Sequence, residues 1–423
     1  MTPAKHITRA AVIYPFINNI DLDADARLHE TVKLAAAISL DVVWSDIIRL
    51  RDVKAGTFFG KGNIEKIKSF VSEKAIELLI VDADLSPIQQ RNLEKELNIK
   101  IIDRTALILE IFGERAQTKE GVLQVELAHL TYQRSRLVRS WTHLERQRGG
   151  AGFLGGPGET QIELDRRIID DKIVKIKKAL EKIKQTRGLQ RRARQKVPYP
   201  VVALVGYTNT GKSTLFNYLT KANVFAKNLL FATLDTTMRK LCLPSGREVI
   251  LSDTVGFISD LPHELIMAFR ATLEEVLEAD IVVQVLDAAN ADNRKQRQDV
   301  IEVLHHLGLD QIEHQKKYIE VYNKIDLLDE HQVKKIQNIH QAIVLSALNG
   351  SGCDKLLGRI DDILKEEYKS IEINIDATNG KVIAWLHKNT EILESKLKED
   401  KIHMQLRIKE DDVGKLQKFL SDG

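Results

Sequence analysis

Short apolar runs alternate with longer amphipathic ones through the first 112 residues. AAVIYPF (10–16), VVWSDII (42–48), IELLIVDAD (76–84) and KIIDR (100–104) read as strands, while 24–39, the stretch after Gly62 and the stretch from Ser86 read as helices. Strands separated by helical segments predict an α/β domain with a parallel sheet. The pattern then changes to a heptad. Leu123, Leu130, Leu137 and Leu144 recur every seven residues, with Leu127 and Trp141 on the alternate seam. A second stripe follows at Ile162, Ile169, Ile173, Ile176, Leu180 and Ile183. Both stripes predict helices with a coiled-coil seam. Between them lies GGAGFLGGPGET (149–160), which no helix absorbs, so 117–192 reads as an antiparallel hairpin joined by a glycine-rich loop. The last stretch reads strand, helix, strand, helix: IEINI (371–375), 379–390, HMQLRI (403–408) and 411–420.

The middle of the chain carries the chemistry. The apolar strand 201–205 runs directly into Gly206, Tyr207, Thr208, Asn209, Thr210, Gly211, Lys212 and Ser213, and a helical segment follows. A Gly-x4-Gly-Lys-Ser loop between strand and helix is a phosphate cradle. Its glycines let backbone amides curl round a β-phosphate, Lys212 neutralises β/γ charge, and the Ser213 hydroxyl ligates Mg2+. Asp253, Thr254, Val255 and Gly256 follow the strand EVILS, which lets Asp253 reach the metal through water and turns the Gly256 amide toward a γ-phosphate. Asn323, Lys324, Ile325 and Asp326 follow YIEVY; the Asp326 carboxylate accepts the N1 and N2 hydrogens that guanine carries and adenine lacks. Ser346, Ala347 and Leu348 follow AIVL and offer a backbone amide to the guanine O6. Four motifs in order, each at a strand end, predict a GTP site.

Between the first two motifs lies FATLDTTM (231–238), where a threonine completes the Mg2+ shell; spacing leaves Thr233, Thr236 and Thr237 open. After Asp-x-x-Gly stands Phe257, where many GTPases place a glutamine that orients the attacking water. Its apolar side chain predicts slow intrinsic hydrolysis unless a partner supplies the missing group. A second phosphate-site candidate is FFGKGN (58–63), where Gly60, Lys61 and Gly62 open a helix; an ordinary turn is the plainer reading.

Composition narrows the class. With 423 residues, 43% hydrophobic and 29% charged, the chain divides into several folded domains. The start, MTPAKHITRAAVIYPF, lacks a signal-peptide pattern, and no stretch approaches ~20 uninterrupted apolar residues, so cytoplasm is the expected compartment. Cys242 and Cys353 have no metal-ligand spacing around them and are expected to be buried reduced thiols. The net charge of +3 hides a local excess: residues 131–198 hold 18 Lys/Arg against 7 Asp/Glu, or 18 − 7 = +11. Arg146, Arg148, Arg166 and Arg167 flank the glycine loop, and Arg191, Arg192, Arg194 and Lys196 close the other end. Exposed backbone among arginines suits RNA phosphates; the alternative is a solvated helical surface.

DADLSPIQQRNLE (82–94), EGVLQVELAHL (120–130), GGPGETQIELDRR (155–167), GYTNTGKSTLFN (206–217), FATLD (231–235) and DTVGFISDLPHELIMAFRATLEE (253–275) together closely resemble the HflX family of ribosome-associated GTPases. The resemblance spans about residues 80–365. It implies an N-terminal α/β domain with a helical hairpin, a Ras-like domain, binding to the large ribosomal subunit and its RNA, and a role in splitting or rescuing stalled ribosomes. It also implies that Phe231, Ala232, Thr233, Leu234 and Asp235 border the nucleotide, with Thr233 serving the magnesium beside Ser213. Lys212, Thr233 and Gly256 are then the catalytic set. The chain departs from many members at Thr236, at Thr210 and at Leu154–Gly156. An ATP-dependent activity proposed for such N-terminal domains finds no P-loop here. The expected organisation is α/β multidomain: 1–112 N-terminal α/β, 113–196 hairpin, 197–368 GTP-binding, and 369–423 a small α+β module, acting as a monomer. The rival expectations are an RNA-binding GTPase that does not split ribosomes and a signalling GTPase with a protein partner.

Overall fold

The computed structural model describes residues 7–17, 24–147, 157–194, 199–222, 237–259, 275–340, 342–398 and 401–421. Among these, one compact unit runs to Leu180 and a second takes up the chain from Glu181.

In the first unit, β1 (Arg9–Ile17), β2 (Asp41–Leu50), β3 (Leu78–Val81) and β4 (Lys100–Asp103) form a fully parallel sheet of order β2-β1-β3-β4. Every residue of β3 is buried, as expected for a strand covered on both faces. The crossovers are α1 (Ala24–Ala37), α2 (Lys61–Glu73) and α3 (Pro87–Leu97). Local chemistry fixes α3: Ser86 and Gln89 cap each other reciprocally, Pro87 opens the first turn, and Asn98 ends the helix in a left-handed conformation. A fourth helix, α4 (Arg104–Arg115), starts where Asp103 caps the Ala106 N–H; its apolar content hides it in a pattern search. The hairpin helices are α5 (Lys119–Gln147) and α6 (Pro157–Arg194). Leu123, Leu127 and Leu130 meet Ile169, Ile173, Ile176 and Leu180 in one core, the antiparallel seam that the heptads predict. The glycine-rich stretch through Gly156 lies outside the described residues, but its last four residues, 157–160, which the sequence reading leaves in the loop, open α6 instead, because Pro157 suits the first position of a helix.

In the second unit, six strands form a sheet of order β10-β9-β8-β5-β7-β6. They are β5 (Val201–Val205), β6 (Thr237–Cys242), β7 (Glu248–Asp253), β8 (Ile281–Asp287), β9 (Tyr318–Asn323) and β10 (Ile343–Val344). All neighbours are parallel except β6, which runs antiparallel to β7. Helices α7 (Lys212–Thr220), α8 (Asn293–His306), α9 (Glu330–His340) and α10 (Cys353–Glu367) accompany it. Of the two cysteines expected to be buried, Cys353 is, whereas Cys242 ends the edge strand β6 and is exposed. Leu204, Leu215, Phe216, Val283, Val321 and Leu356 lie in a core that sets β5 at the centre, so the loop after β5 opens at the carboxyl edge.

The C-terminal module holds β11 (Tyr368–Asp376), α11 (Gly380–Asn389), β12 (Glu391–Lys398), β13 (Lys401–Lys409) and α12 (Glu410–Ser421), with sheet order β11-β13-β12. It has one strand more than the sequence pattern predicts. The extra strand is EILESKLK, an edge strand that is mostly exposed and therefore polar enough to pass for a loop. Among the described residues no helix is long and apolar enough to cross a membrane.

Candidate nucleotide site

Four of the predicted motifs converge at the carboxyl edge of the six-stranded sheet. Gly206 leaves β5 at φ +148°, and a Cβ there would lie 2.3 Å from the Val285 carbonyl oxygen, so no side chain fits. Asn209 is left-handed at φ 61°, and Gly211 follows at φ +92°, where a Cβ would meet Asn323 Nδ2 at 2.3 Å. The loop therefore turns sharply at both glycines and delivers Lys212 to the first residue of α7. Lys212 is 6% exposed, and its Nζ donates to the Gly206 and Tyr207 carbonyls at 2.9 and 2.7 Å. Burial pulls its ammonium down to about 8, with Asp253 opposing. Beside it, Ser213 Oγ donates to Asp253 Oδ2 at 2.7 Å. Thr210 Oγ1 closes the loop onto the Tyr207 carbonyl at 3.0 Å.

Gly256 is a glycine for a visible reason. A Cβ there would stand 2.8 Å from Thr208 Cγ2 and 3.2 Å from Lys212 Nζ. Residues 254–257 are pinned to the loop: Thr254 Oγ1 donates to the Leu204 carbonyl at 2.6 Å, Phe257 N–H to Gly206 O at 3.1 Å, and Thr208 N–H to Phe257 O at 2.7 Å. Val255 and the Phe257 side chain are buried. Phe257 is thus packing for the loop.

The other two motifs meet through one residue. Asn323, 2% exposed at the end of β9, donates Nδ2–H to the Thr210 carbonyl at 2.8 Å and accepts the Ala347 N–H at 2.8 Å. Lys324 is left-handed at φ 68° and forms an ion pair with Asp287 at 2.7 Å. Ser346 Oγ donates to Asp326 Oδ1, which holds the Asp326 carboxylate at the rim beside Ile325. Leu348 is 76% exposed at the same rim.

Some participants went unread in the sequence. Asp287, at the end of β8, is signalled only by an acid closing an apolar strand. Tyr207 Oη pairs with Ser259 Oγ at 2.9 Å and accepts the Ser259 N–H at 2.7 Å, while Ser259 Oγ donates to Asp299 on α8 at 2.7 Å; no local pattern marks that relay. Phe231, Ala232, Thr233, Leu234 and Asp235 lie outside the described residues. At FFGKGN, Phe58 and Phe59 are core residues, Gly60 caps α2 at φ −74°, and a Cβ on Gly60 or Gly62 would meet nothing within 4 Å. Nothing there requires the backbone to approach a ligand.

A phosphate loop with its lysine, an Asp-x-x-Gly segment locked to it, and an Asn-Lys-x-Asp turn at the next strand ends define a P-loop GTPase, an enzyme that hydrolyses GTP. Family profiles match in succession from residue 25 to residue 423: GTP-binding GTPase N-terminal over 25–113, GTP-binding GTPase middle region over 115–194, 50S ribosome-binding GTPase over 201–324 and HflX C-terminal domain over 331–423. GTPase HflX of Magnetococcus marinus is 44% identical over 411 residues, covering 97% of this chain and 94% of that one. GTPase HflX of Escherichia coli is 41% identical over 355 residues, covering 83% and 82%. The chain belongs to the HflX family of GTPases. A GTP-binding protein from Sulfolobus solfataricus, solved in complex with GDP, aligns at 22% identity and TM-score 0.45 over 84% of this chain and 98% of its own; no assignment rests on it. The last profile begins at residue 331, inside the six-stranded sheet, whereas the separate three-stranded module begins at β11.

Proposed function

We propose that this chain is a GTP-driven switch that binds the large ribosomal subunit in the cytoplasm and splits or rescues stalled ribosomes. The residues from Gly206 to Gly211 cradle the β-phosphate, Lys212 trades its two carbonyl acceptors for phosphate oxygens, and the Gly256 amide senses the γ-phosphate. Asp326 selects guanine and the 346–348 backbone reads its O6. The single observation that carries the reading is the Asn323 node, which joins the phosphate loop to the base-reading turns through two buried hydrogen bonds.

The donor set also suits a small divalent cation. The Ser213 hydroxyl and the Asp253 carboxylate converge at 2.7 Å, a pair of hard oxygens at the foot of the phosphate loop. Ser213 and Asp253 would hold Mg2+, with Thr233 expected to join them, and the ion would supply charge neutralisation for the β- and γ-phosphates. The hairpin supplies the ribosomal contact in this reading. Lys172, Lys175, Lys177, Lys178 and Lys182 are exposed on α6, a basic stripe of the kind that binds RNA phosphates.

The test is GTP hydrolysis by the purified protein, alone and with large ribosomal subunits, across nucleotides and salt concentrations. A large GTP-specific stimulation that fades as salt rises is expected. A rate indifferent to ribosomal subunits would sink the proposal and favour a signalling switch with a protein partner.

A further inference from the structure

The Asp-x-x-Gly segment is an arch with both feet tied down. Its first foot is the β5–β7 ladder, which ends at Leu204 opposite Asp253. Its second is an isolated parallel bridge between Tyr207 and Phe257, where Phe257 N–H donates to Gly206 O at 3.1 Å and Thr208 N–H to Phe257 O at 2.7 Å. A side chain reinforces that second foot. Tyr207 is 3% exposed and sends its hydroxyl to Ser259, which is 8% exposed. The Ser259 N–H donates to Tyr207 Oη at 2.7 Å, and Ser259 Oγ donates to Asp299 Oδ2 at 2.7 Å. The Ser259 hydroxyl proton is thereby committed, so in the 2.9 Å contact between the two hydroxyls Tyr207 is the donor. The relay ends on an anchored helix: α8 buries Val300, Ile301 and Leu304, and its Arg297 holds Glu320 of β9 at 2.6 Å. The space under the arch is closed. A Cβ on Gly256 would stand 2.8 Å from Thr208 Cγ2 and 3.2 Å from Lys212 Nζ, so the gap between Gly256 and the lysine does not admit a methyl group.

We propose that Tyr207 is a specificity-determining residue of the nucleotide site: with Ser259 and Asp299 it latches the arch down on the phosphate loop and biases the site toward GDP over GTP. The inference rests on the reading above, in which a γ-phosphate lies between Lys212 and the Gly256 amide. A phosphoryl group is larger than the methyl that this gap refuses, so GTP needs the arch raised, whereas GDP, which lacks the γ-phosphate, leaves it down. A ligand that binds one state loses affinity in proportion to how rarely that state is populated, so each bond that holds the arch down weakens GTP and spares GDP. The Tyr207 carbonyl accepts Lys212 Nζ at 2.7 Å and Thr210 Oγ1 at 3.0 Å. One residue therefore holds the loop with its backbone and the arch with its side chain.

The experiment compares the wild type with Tyr207→Phe, which keeps the ring and deletes the hydroxyl. Affinities for GDP and for a GTP analogue with a β,γ-imido bridge are measured with fluorescent derivatives, alongside the melting temperature without nucleotide. We expect the ratio of analogue affinity to GDP affinity to rise about tenfold in Tyr207→Phe, the scale of one or two hydrogen bonds. Ser259→Ala, which keeps the N–H bond to the phenol and loses the Oγ relay, should move the ratio the same way by about threefold. A tyrosine that only stabilises the fold would lower the melting temperature and both affinities together and leave the ratio where it was. That result, or a ratio that moves toward GDP, overturns the proposal. Should Tyr207→Phe not fold, the Ser259→Ala ratio decides on the same terms. Failure of the wild type to bind either nucleotide would instead refute the site itself.

Discussion

The two parallel sheets of this chain treat their carboxyl edges in opposite ways. In the N-terminal sheet the strands end on acids that the protein neutralises from within. Arg104 donates to Asp82 Oδ1 at 2.8 Å and to Glu30 at 2.9 Å, and Thr31 Oγ1 donates to the other Asp82 oxygen at 2.8 Å. Asp103 is bonded by Arg136 and by Tyr132 Oη at 2.9 Å, both from α5. Burial pushes the Asp103 carboxyl up, and the Arg136 charge works against that. In the six-stranded sheet the edge carries a buried lysine bonded to two neutral carbonyls, and glycines under steric compulsion. The carboxyl edge of a parallel sheet is an address for ligands, but it becomes a site only where the chain leaves charge and amides for something else to match.

That contrast can be broken in four places. Gly206→Ala sets a Cβ against the Val285 carbonyl from a backbone that only glycine tolerates, and should weaken GTP binding at least about a thousandfold, or about 4 kcal/mol; a nucleotide titration with near wild-type affinity would remove the steric argument. Arg104→Ala leaves the buried Asp82 and the half-buried Glu30 without the Arg104 guanidinium and should cost about 3–5 kcal/mol of stability in chemical denaturation, while GTP hydrolysis per folded molecule stays unchanged. Phe257→Gln buries an amide where a ring packs, so stability should fall by roughly 2 kcal/mol and hydrolysis should not accelerate; a tenfold faster enzyme would show that the side chain can turn outward to a water. The smallest effect belongs to Gly60→Ala, whose Cβ meets open space and which should shift stability by less than about 0.5 kcal/mol with GTP affinity untouched.

The sequence made legible whatever follows from short-range periodicity. Fully buried strands such as Leu78–Val81 and Val201–Val205 declare themselves as apolar runs, and the Leu123/Leu130 and Ile169/Ile176 stripes announce the helices that meet across the hairpin. The order of motifs also predicts which strand ends carry them, since each phosphate or base contact needs a loop at a carboxyl edge. What escapes is long-range. Asn323 bonding Thr210, Tyr207 reaching Ser259, and Asp299 entering from α8 depend on how the sheet closes, and each residue alone is an ordinary polar side chain. Edge strands such as Glu391–Lys398 escape for a different reason: half their faces meet water, so composition resembles a loop. For Phe257 the sequence shows only an apolar side chain, and the structure adds that it is buried with its backbone bonded to Gly206 and Thr208 of the phosphate loop.

The Asn323 node also sets a schedule for biosynthesis. The two ends of its bond to the phosphate loop are 113 residues apart in the chain, and its second partner, Ala347, comes later still. At about 5–20 residues per second, the loop leaves the peptidyl-transferase centre roughly 6–23 seconds before the asparagine that braces it has been added. A nascent chain therefore carries all of residues 206–213 while it still lacks the asparagine that ties Thr210 to Ala347, and that stretch gains its last long-range hydrogen bonds only after more than a hundred further residues have been added.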